Sequence, residues 1–523
     1  MKSIYNQLMV LAILTGGAVT TTSCGDDFLT AQPTESDAVG GNATESTILN
    51  DLASAYQILT MDSYANYNYN SVLLMPDLQS DDIWKGGGNA GDQEQLYKLE
   101  CFQATPAQNI SGQWTIYFTG LARCNNSLIA IENASGVDAT LLKRFKGEAM
   151  TLKVYYESIL WRDWGNIPVY DGLLAAPYVT PQLKADEVYT KMKKEIDEVI
   201  DGNYLPMATR GDLLARVNMA TAKMLRARIV LYQKDQSSYA QITKDMADII
   251  SSGEYSLVKN FASIWLDDGE FGTESIFESN QYPNAGRDWG AAWTGLGTNL
   301  PEFISPSDLH HTDNTAINTY GEVRGGWGFG PVRESTYKMY EEGDTRRDAS
   351  INYIPNGGKY SYSPRFQDTG YFLAKYCARY GYNPAKTGAT SLNYANNVRI
   401  FRYAETLLNY VELVKMLGQS EVSGISAQSC FDQIRDRAFG DANHRITANA
   451  ANIKQERRNE FVGEGMRYYD LVRWGDAATK LTENNDAFQV HRTWTESKKY
   501  LPIPEGEINK TTGTQYPLVQ NPY

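Results

Sequence analysis

A mainly α architecture, in which irregular helix pairs carry a loop-rich region, is predicted by three features of this 523-residue chain. Several segments place apolar residues at alternating steps of three and four, the spacing that lines one helical face. Two long stretches lack that period and concentrate glycine, asparagine and aromatic residues. Five cysteines are too few for a disulfide-built scaffold, so packed apolar faces must hold the chain together.

In "RFKGEAMTLKVYYESILWRDWGNIP" the stripe is Phe145, Ala149, Leu152, Tyr156 and Ile159, and Gly165 and Pro168 end the helix. In "ARVNMATAKMLRARIVLY" it is Val217, Ala220, Met224, Ala227 and Leu231, whose small members admit a close partner helix. A third helix carries Ala404, Leu407 and Val411, with Cys430–Ala438 as its antiparallel mate. Residues 186–200 and 240–251 are more polar and are expected as outer helices. No strict tetratricopeptide period is visible, so the pairs are irregular. The helical scaffold is assigned to about residues 40–60, 112–255 and 395–475. The variable regions, about 61–111 and 255–395, are expected to hold short helices and strands that present function on the scaffold.

The N-terminus has the layout of an export signal. Lys2 precedes an apolar run from Leu8 to Val19, too short for the ~20 residues that span a bilayer. Thr21, Thr22 and Ser23 then lead into Cys24. This predicts a signal peptide over 1–23 and a mature chain that starts at Cys24, whose thiol takes a lipid anchor. Thr21 departs from the aliphatic residue usual there, and an ordinary signal with a coincidental cysteine is the alternative. No later stretch reaches 18 apolar residues. The remaining cysteines, Cys101, Cys124, Cys377 and Cys430, allow three pairings among which sequence does not choose.

A net charge of −14 argues against nucleic acid, which needs a basic stripe, and mildly against anionic ligands. Against four His stand 35 Tyr, 10 Trp and 16 Phe. Rings in polar loops suit the C–H faces of sugars, though a protein interface would use them too. The candidate ligand residues are Trp84 with Asp81 and Asp82 beside it, and Trp289 and Trp293, with Arg287 and Asp288 adjacent. Tyr67, Tyr69, Tyr282 and Tyr320 have similar settings, and Arg324 offers a fork of donors to paired hydroxyls. Trp161, Trp164 and Trp474 lie on scaffold helices and are assigned to the core.

The charge-dense "ERRNEFVGEGMRYYDLVRWG" spaces Arg457–Glu460, Glu464–Arg467, Arg467–Asp470 and Asp470–Arg473 by three, a helix-face network that ties elements together. Asp344, Arg346 and Arg347 are read the same way. "GGGNAG" at 86–91 matches G-x-G-x-x-G outside any strand-to-helix turn, so it is a chance match and is expected as a flexible loop. His310–His311 is a lone doublet expected in packing. No metalloprotease, serine-hydrolase or zinc-ribbon motif occurs. A glycosidase needs two carboxylates ~5–5.5 Å or ~6.5–9.5 Å apart, and nothing marks such a pair.

Several strings, in order, resemble the SusD/RagB family of Bacteroidetes nutrient-uptake lipoproteins. They are "SCGDDFL", "GEAMTLKVYYESILWRDWGNIPVY", "ESIFESN", "GGWGFGPVRESTYKMYEEGDTRRDAS", "VRIFRYAETLLNYVE", "FDQIRDRAF", "ERRNEFVGEGMRYYDLVRWG", "YLPIPEGEI" and "VQNPY". The resemblance implies a SusD-like fold with four irregular tetratricopeptide-like helix pairs under a variable ligand-binding face. It implies a protein on the exterior of the outer membrane, lipid-anchored at Cys24, with Asp26 and Asp27 as an export signal. It implies a SusC-like TonB-dependent transporter as partner, and capture of oligosaccharides, or of peptides in the RagB branch, without catalysis, cofactor or metal. Trp84 resembles the position of a family stacking aromatic, whereas Trp327 sits in the shared Gly-rich turn and is weighed as structural.

Overall fold

The computed structural model describes residues 42–523 except 62, 66–67, 291–292, 312–320, 356, 358 and 385–386, with backbone alone for 63–65 and 68–70. Cys24, Asp26, Asp27, Tyr67 and Tyr320 fall outside the described residues, as does the expected signal peptide. Tyr69 is placed as a backbone position opposite Tyr64 in a short hairpin.

The scaffold helices are α1 (Glu45–Gln57), α2 (Ser111–Glu132), α3 (Ala139–Trp164), α4 (Ala185–Asp201), α5 (Met219–Gln233) and α6 (Tyr239–Ser251). After a long insert come α7 (Tyr403–Lys415), α8 (Ala427–Phe439), α9 (Ala450–Phe461) and α10 (Arg467–Trp474). Side chains of Thr44, Asp138, Asn218, Ser426 and Asn449 accept first-turn amides of α1, α3, α5, α8 and α9, groups that have no partner within the helix. The predicted stripes of α3, α5 and α7 are buried throughout. Successive helices are spatial neighbours, from α1 on α2 through to α5 on α6. Gly120 lets α2 approach α3 closely, since a Cβ there would stand 2.7 Å from the Tyr156 ring.

α7 packs on α6, so the insert leaves and rejoins the stack at adjacent helices. It contains the strands β1 (Ser275–Ser279), β2 (Ile351–Tyr353) and β3 (Tyr371–Leu373), and runs into β4 (Val398–Arg402) just before α7. β1 and β4 pair antiparallel at its root, and β2 pairs with β3 inside it. The insert also contains short helices at Leu300–Ile304, Glu334–Lys338 and Arg346–Ser350, several 3₁₀ turns, and a two-residue strand pair, His310–His311 with Tyr360–Ser361. The expected mixture of short elements is what the insert holds. The four described cysteines are buried free thiols.

A lattice of buried ions fastens this insert to the helices. The Arg402 guanidinium donates to Glu464 twice at 2.8 Å, to Glu274 at 2.5 Å and to Glu460 at 3.1 Å. Arg437 joins Glu274 to Glu460, at 3.1 and 2.7 Å. From the insert, Arg346 reaches Asp344, Glu456 and Glu460 at 2.7, 2.7 and 3.1 Å, and Lys375 reaches Glu464 at 2.6 Å.

The structural role expected for the charge-dense motif holds, but its geometry differs. α9 stops at Phe461, where Val462 turns to ψ 128°, and α10 begins at Arg467; between them Gly463 and Gly465 take φ +77° and +69°, and a Cβ on Gly465 would lie 2.5 Å from the Val72 carbonyl. Of the expected local pairs, Asp470–Arg473 forms at 2.8 Å. The other charges reach across space: Arg457 meets Asp470 at 3.0 Å, and Arg467 turns to Asp81. Within the Asp-x-Arg-Arg set, Arg347 is half-exposed and pairs with its neighbour Asp348 instead of joining the lattice.

Asp81 and Asp82 are corrected by the same network. The short helix Leu74–Gln79 packs on α10, which turns both carboxylates toward the arginines of α9 and α10. Asp81 accepts from Arg467 at 2.7 and 3.0 Å, and Asp82, 1% exposed, accepts from Arg458 at 2.7 Å. Burial alone would raise the Asp81 carboxyl, but the Arg467 hydrogen bonds and the charges of Arg458 and Arg467 hold it well below the usual carboxylate range.

Two outcomes are expected. Arg402→Met takes one shared cation from Glu274, Glu460 and Glu464, which keep only Arg437, Arg346 and Lys375, so denaturant unfolding should lose about 3–5 kcal/mol; a loss below about 1 kcal/mol would show that the lattice is not integral. The depressed Asp81 contributes stability that is full above the unfolded pKa of about 3.9 and is lost as pH falls through the folded value. Asp81→Asn should therefore be less stable by about 1.5–3 kcal/mol at pH 7, with the difference narrowing from pH 5 to pH 2. A difference independent of pH overturns that assignment.

Candidate ligand-binding site

The variable insert builds its exposed face on a closed loop, residues 282–297. The Tyr282 N–H donates to the Leu296 carbonyl at 2.8 Å and shuts the neck. Inside the loop lies Arg287, 1% exposed. Its guanidinium donates to the carbonyls of Gly297 at 3.1 Å, Thr60 at 2.9 Å and Gly295 at 3.2 Å. Its own N–H and C=O are held by the Asn393 side chain, at 2.7 and 2.8 Å. A cation spent on carbonyls fixes backbone, so Arg287 is the internal frame of this loop.

That frame presents Trp289, 39% exposed, at the surface. The Trp289 ring stacks on Trp327, centroids 5.9 Å apart and 24° from parallel. Trp327 meets the edge of Phe303 at 5.9 Å, and Phe303 stacks on Phe329 at 4.0 Å. A continuous aromatic column thus runs from solvent into the core, in the offset and edge-on arrangements that ring quadrupoles favour. Trp327 is half-buried, so its expected structural role is only part of its place here, because it supports the exposed ring directly.

Polar groups ring the shelf. The Trp327 N–H donates to the Glu302 carbonyl at 2.8 Å. The Glu302 carboxylate accepts from the Tyr394 hydroxyl at 2.5 Å, and that hydroxyl accepts from Arg324 at 3.1 Å. Arg365 donates to the Trp327 carbonyl at 3.1 Å, and the exposed Asp288 carboxylate accepts the Trp289 N–H at 2.7 Å. Flat rings beside forked donors and carboxylates can hold a ring-shaped polyol by stacking and paired hydrogen bonds.

Tyr282, 53% exposed, stands at the neck of the same loop. Trp293 is half-buried, with its carbonyl accepting from Gln57 of α1 at 3.3 Å, so it faces the scaffold more than solvent. Trp84 is a correction. It is 4% exposed, stacked 4.5 Å from Phe488 and 4° off parallel, with the Arg333 guanidinium 3.5 Å from its ring centre. No ring face is left for a ligand. The adjacent glycine loop is pinned, not flexible: Lys85 donates to the Asn89 carbonyl at 2.8 Å and to that of Asp92. His311 is buried in packing against Tyr360, and among the described residues no cluster of metal-ligand type occurs. A recess of about 530 Å³ lies among other residues, Met207, Met219, Lys223 and Asp248 of the scaffold. A polymer laid along a flat shelf needs no such hollow.

Residues 316–523 match the model of the SusD family. A SusD-like protein of Bacteroides ovatus is 23% identical over 495 residues, 89% of this chain and 82% of that one. Among solved structures, surface glycan-binding protein A from Bacteroides fluxus is 55% identical with a TM-score of 0.86, over 92% of this chain and 99% of that chain. Surface glycan-binding protein A from Bacteroides thetaiotaomicron in complex with laminarihexaose is 38% identical with a TM-score of 0.84, over 92% and 100% of the two chains. With the helical stack, the inserted aromatic face and near-complete coverage of such relatives in agreement, the chain belongs to the SusD family.

Proposed function

We propose that this protein is a non-catalytic glycan-binding lipoprotein of the cell surface. It captures a neutral oligosaccharide on the Trp289–Trp327 shelf and delivers it to a SusC-like TonB-dependent transporter, held on the outer membrane through Cys24. The observation that carries this reading is the exposed Trp289 ring backed by a column of rings that reaches the core. The laminarihexaose complex of the 38% identical relative makes β-glucan oligosaccharides the first ligands to try. No described helix is long and apolar enough to cross a membrane, in keeping with attachment by lipid. The surrounding Asp288, Glu302, Arg324 and Arg365 are engaged with protein groups, as positioned sugar contacts would be, with none set apart as an acid–base pair.

Calorimetry with laminarihexaose, other hexaoses and a hexapeptide panel tests this directly. Trp289→Ala should weaken the preferred hexaose at least tenfold, about 1.4 kcal/mol, with an unfolding midpoint close to the parent's because the ring is exposed. Trp84→Ala should do the reverse, losing about 3–5 kcal/mol of stability while the folded fraction binds normally. Equal binding by Trp289→Ala, preference for peptides, or release of reducing ends from the bound glycan would each defeat the proposal.

A further inference from the structure

We propose a second glycan-stacking platform on the same insert, formed by Tyr337, Tyr353 and Tyr371; this extends, and rests on, the glycan-capture reading above. Tyr353 on β2 lies directly opposite Tyr371 on β3, so both side chains project from one face of the ladder. Their rings stack at 4.7 Å and 25°. Tyr337, from the helix Glu334–Lys338, brings a third ring 4.6 Å from Tyr371 and 6.1 Å from Tyr353. Those distances describe a triangle with Tyr371 at its near-right-angled corner. Tyr353 is 53% exposed and the other two rings are half-buried against the core.

The rim carries the same chemistry as the first shelf. Arg347 stands 4.9 Å over Tyr337 and its fork holds Asp348 at 2.9 and 3.2 Å. The Tyr337 hydroxyl donates to Asp348 at 3.2 Å. A cross-strand pair that only stabilised the ladder would account for two of these rings, but not for a third from another element with an ordered Arg–Asp rim. A globular partner is disfavoured by size. A stable protein interface buries about 800 Å² on each side, whereas three tyrosines offer at most about 150–250 Å² each, and two of these are already half-buried. A narrow polymer chain fits that area. The Val332 N–H donates to the Tyr371 carbonyl at 2.8 Å, and Val332 lies five residues after Trp327, a reach of at most about 17 Å. The two shelves are thus near neighbours within the insert, joined by the buried segment 328–333, and a polysaccharide long enough to reach both meets the second at raised effective concentration.

The test compares laminarin in native affinity gels with laminaritriose in calorimetry, using Tyr353→Ala, Tyr353→Phe, Trp289→Ala and the Trp289→Ala/Tyr353→Ala double variant. Tyr353→Ala should lower laminarin affinity three- to tenfold and leave triose binding at the Trp289 shelf unchanged. Tyr353→Phe, which keeps the ring, should restore the parent's gel retardation. The double variant should lose the retardation that Trp289→Ala retains. Unchanged retardation of Tyr353→Ala in both backgrounds overturns the second platform while leaving the first intact. Loss in Tyr353→Ala without any effect of Trp289→Ala defeats the Trp289–Trp327 shelf as the capture site, while glycan capture itself and this platform stand. A Tyr353→Phe variant as weak as Tyr353→Ala overturns stacking as its basis.

Discussion

The binding face depends on the ion lattice around Arg402, Glu460 and Glu464. It is the place where β4, α8, α9 and two residues of the insert, Arg346 and Lys375, are bonded to one another. Burying such ions costs several kcal/mol each, and a well-packed apolar contact of the same volume is often as stable. What the lattice supplies is position. Burial would raise the Glu460 carboxyl, yet Arg437, Arg402 and Arg346 hold it well below the ordinary range. Burial also draws Lys375 down to about 8 against the pull of Glu464. Each ion has two or more partners, so a shift of the insert by one register breaks several bonds together. Apolar surfaces slide at smaller cost.

Arg287 repeats this logic on the scale of a single loop. Its bonds to the Gly295, Gly297 and Thr60 carbonyls tie residues 282–297 to the end of α1's 3₁₀ extension. The loop is irregular and exposed, yet its exposed ring is already seated on Trp327. A ligand then avoids the ordering cost of about 0.5–1.5 kcal/mol for each side chain it would otherwise immobilise. The sequence places Arg287 next to Trp289, a candidate ligand ring. Its actual partners lie at residues 60, 295, 297 and 393, which adjacency alone does not reveal.

The same contrast separates what was legible from what was not. Helices α3, α5 and α7 announce themselves because burial of one face imposes a period on the chain itself. Trp84 does not, because its environment is made by Phe488 and Arg333, some 400 and 250 residues away. A ring in a glycine-rich polar setting looks exposed until distant segments cover it. Asp81 and Asp82 were similarly claimed by arginines of α9 and α10. Trp327 differs for the opposite reason: the glycines of its turn point to backbone geometry, and a Cβ on Gly326 would indeed lie 2.0 Å from the Glu302 carbonyl, yet the Trp327 ring also stacks under Trp289. The Arg457–Arg473 charges kept their structural role because any dense mixture of opposite charges pairs. The pairing pattern differs because the chain leaves the helix at Val462 and turns through Gly463 and Gly465, so these charges do not share one helix face.

A shelf of this kind has consequences for exchange. One or two stacked rings with a few hydrogen bonds support micromolar or weaker affinity, about −8 kcal/mol or less. Among related complexes most of the variation in affinity is in the off-rate, so a weak pre-ordered shelf releases a short oligosaccharide quickly. A long chain that spans Trp289 and Tyr353 behaves differently, since dissociation from one shelf leaves it tethered at the other. Retention then scales with ligand length, not with the strength of either site. The rigid weld of insert to scaffold makes that scaling possible, because two weak sites act together only while their separation stays fixed to the repeat of the polymer they share.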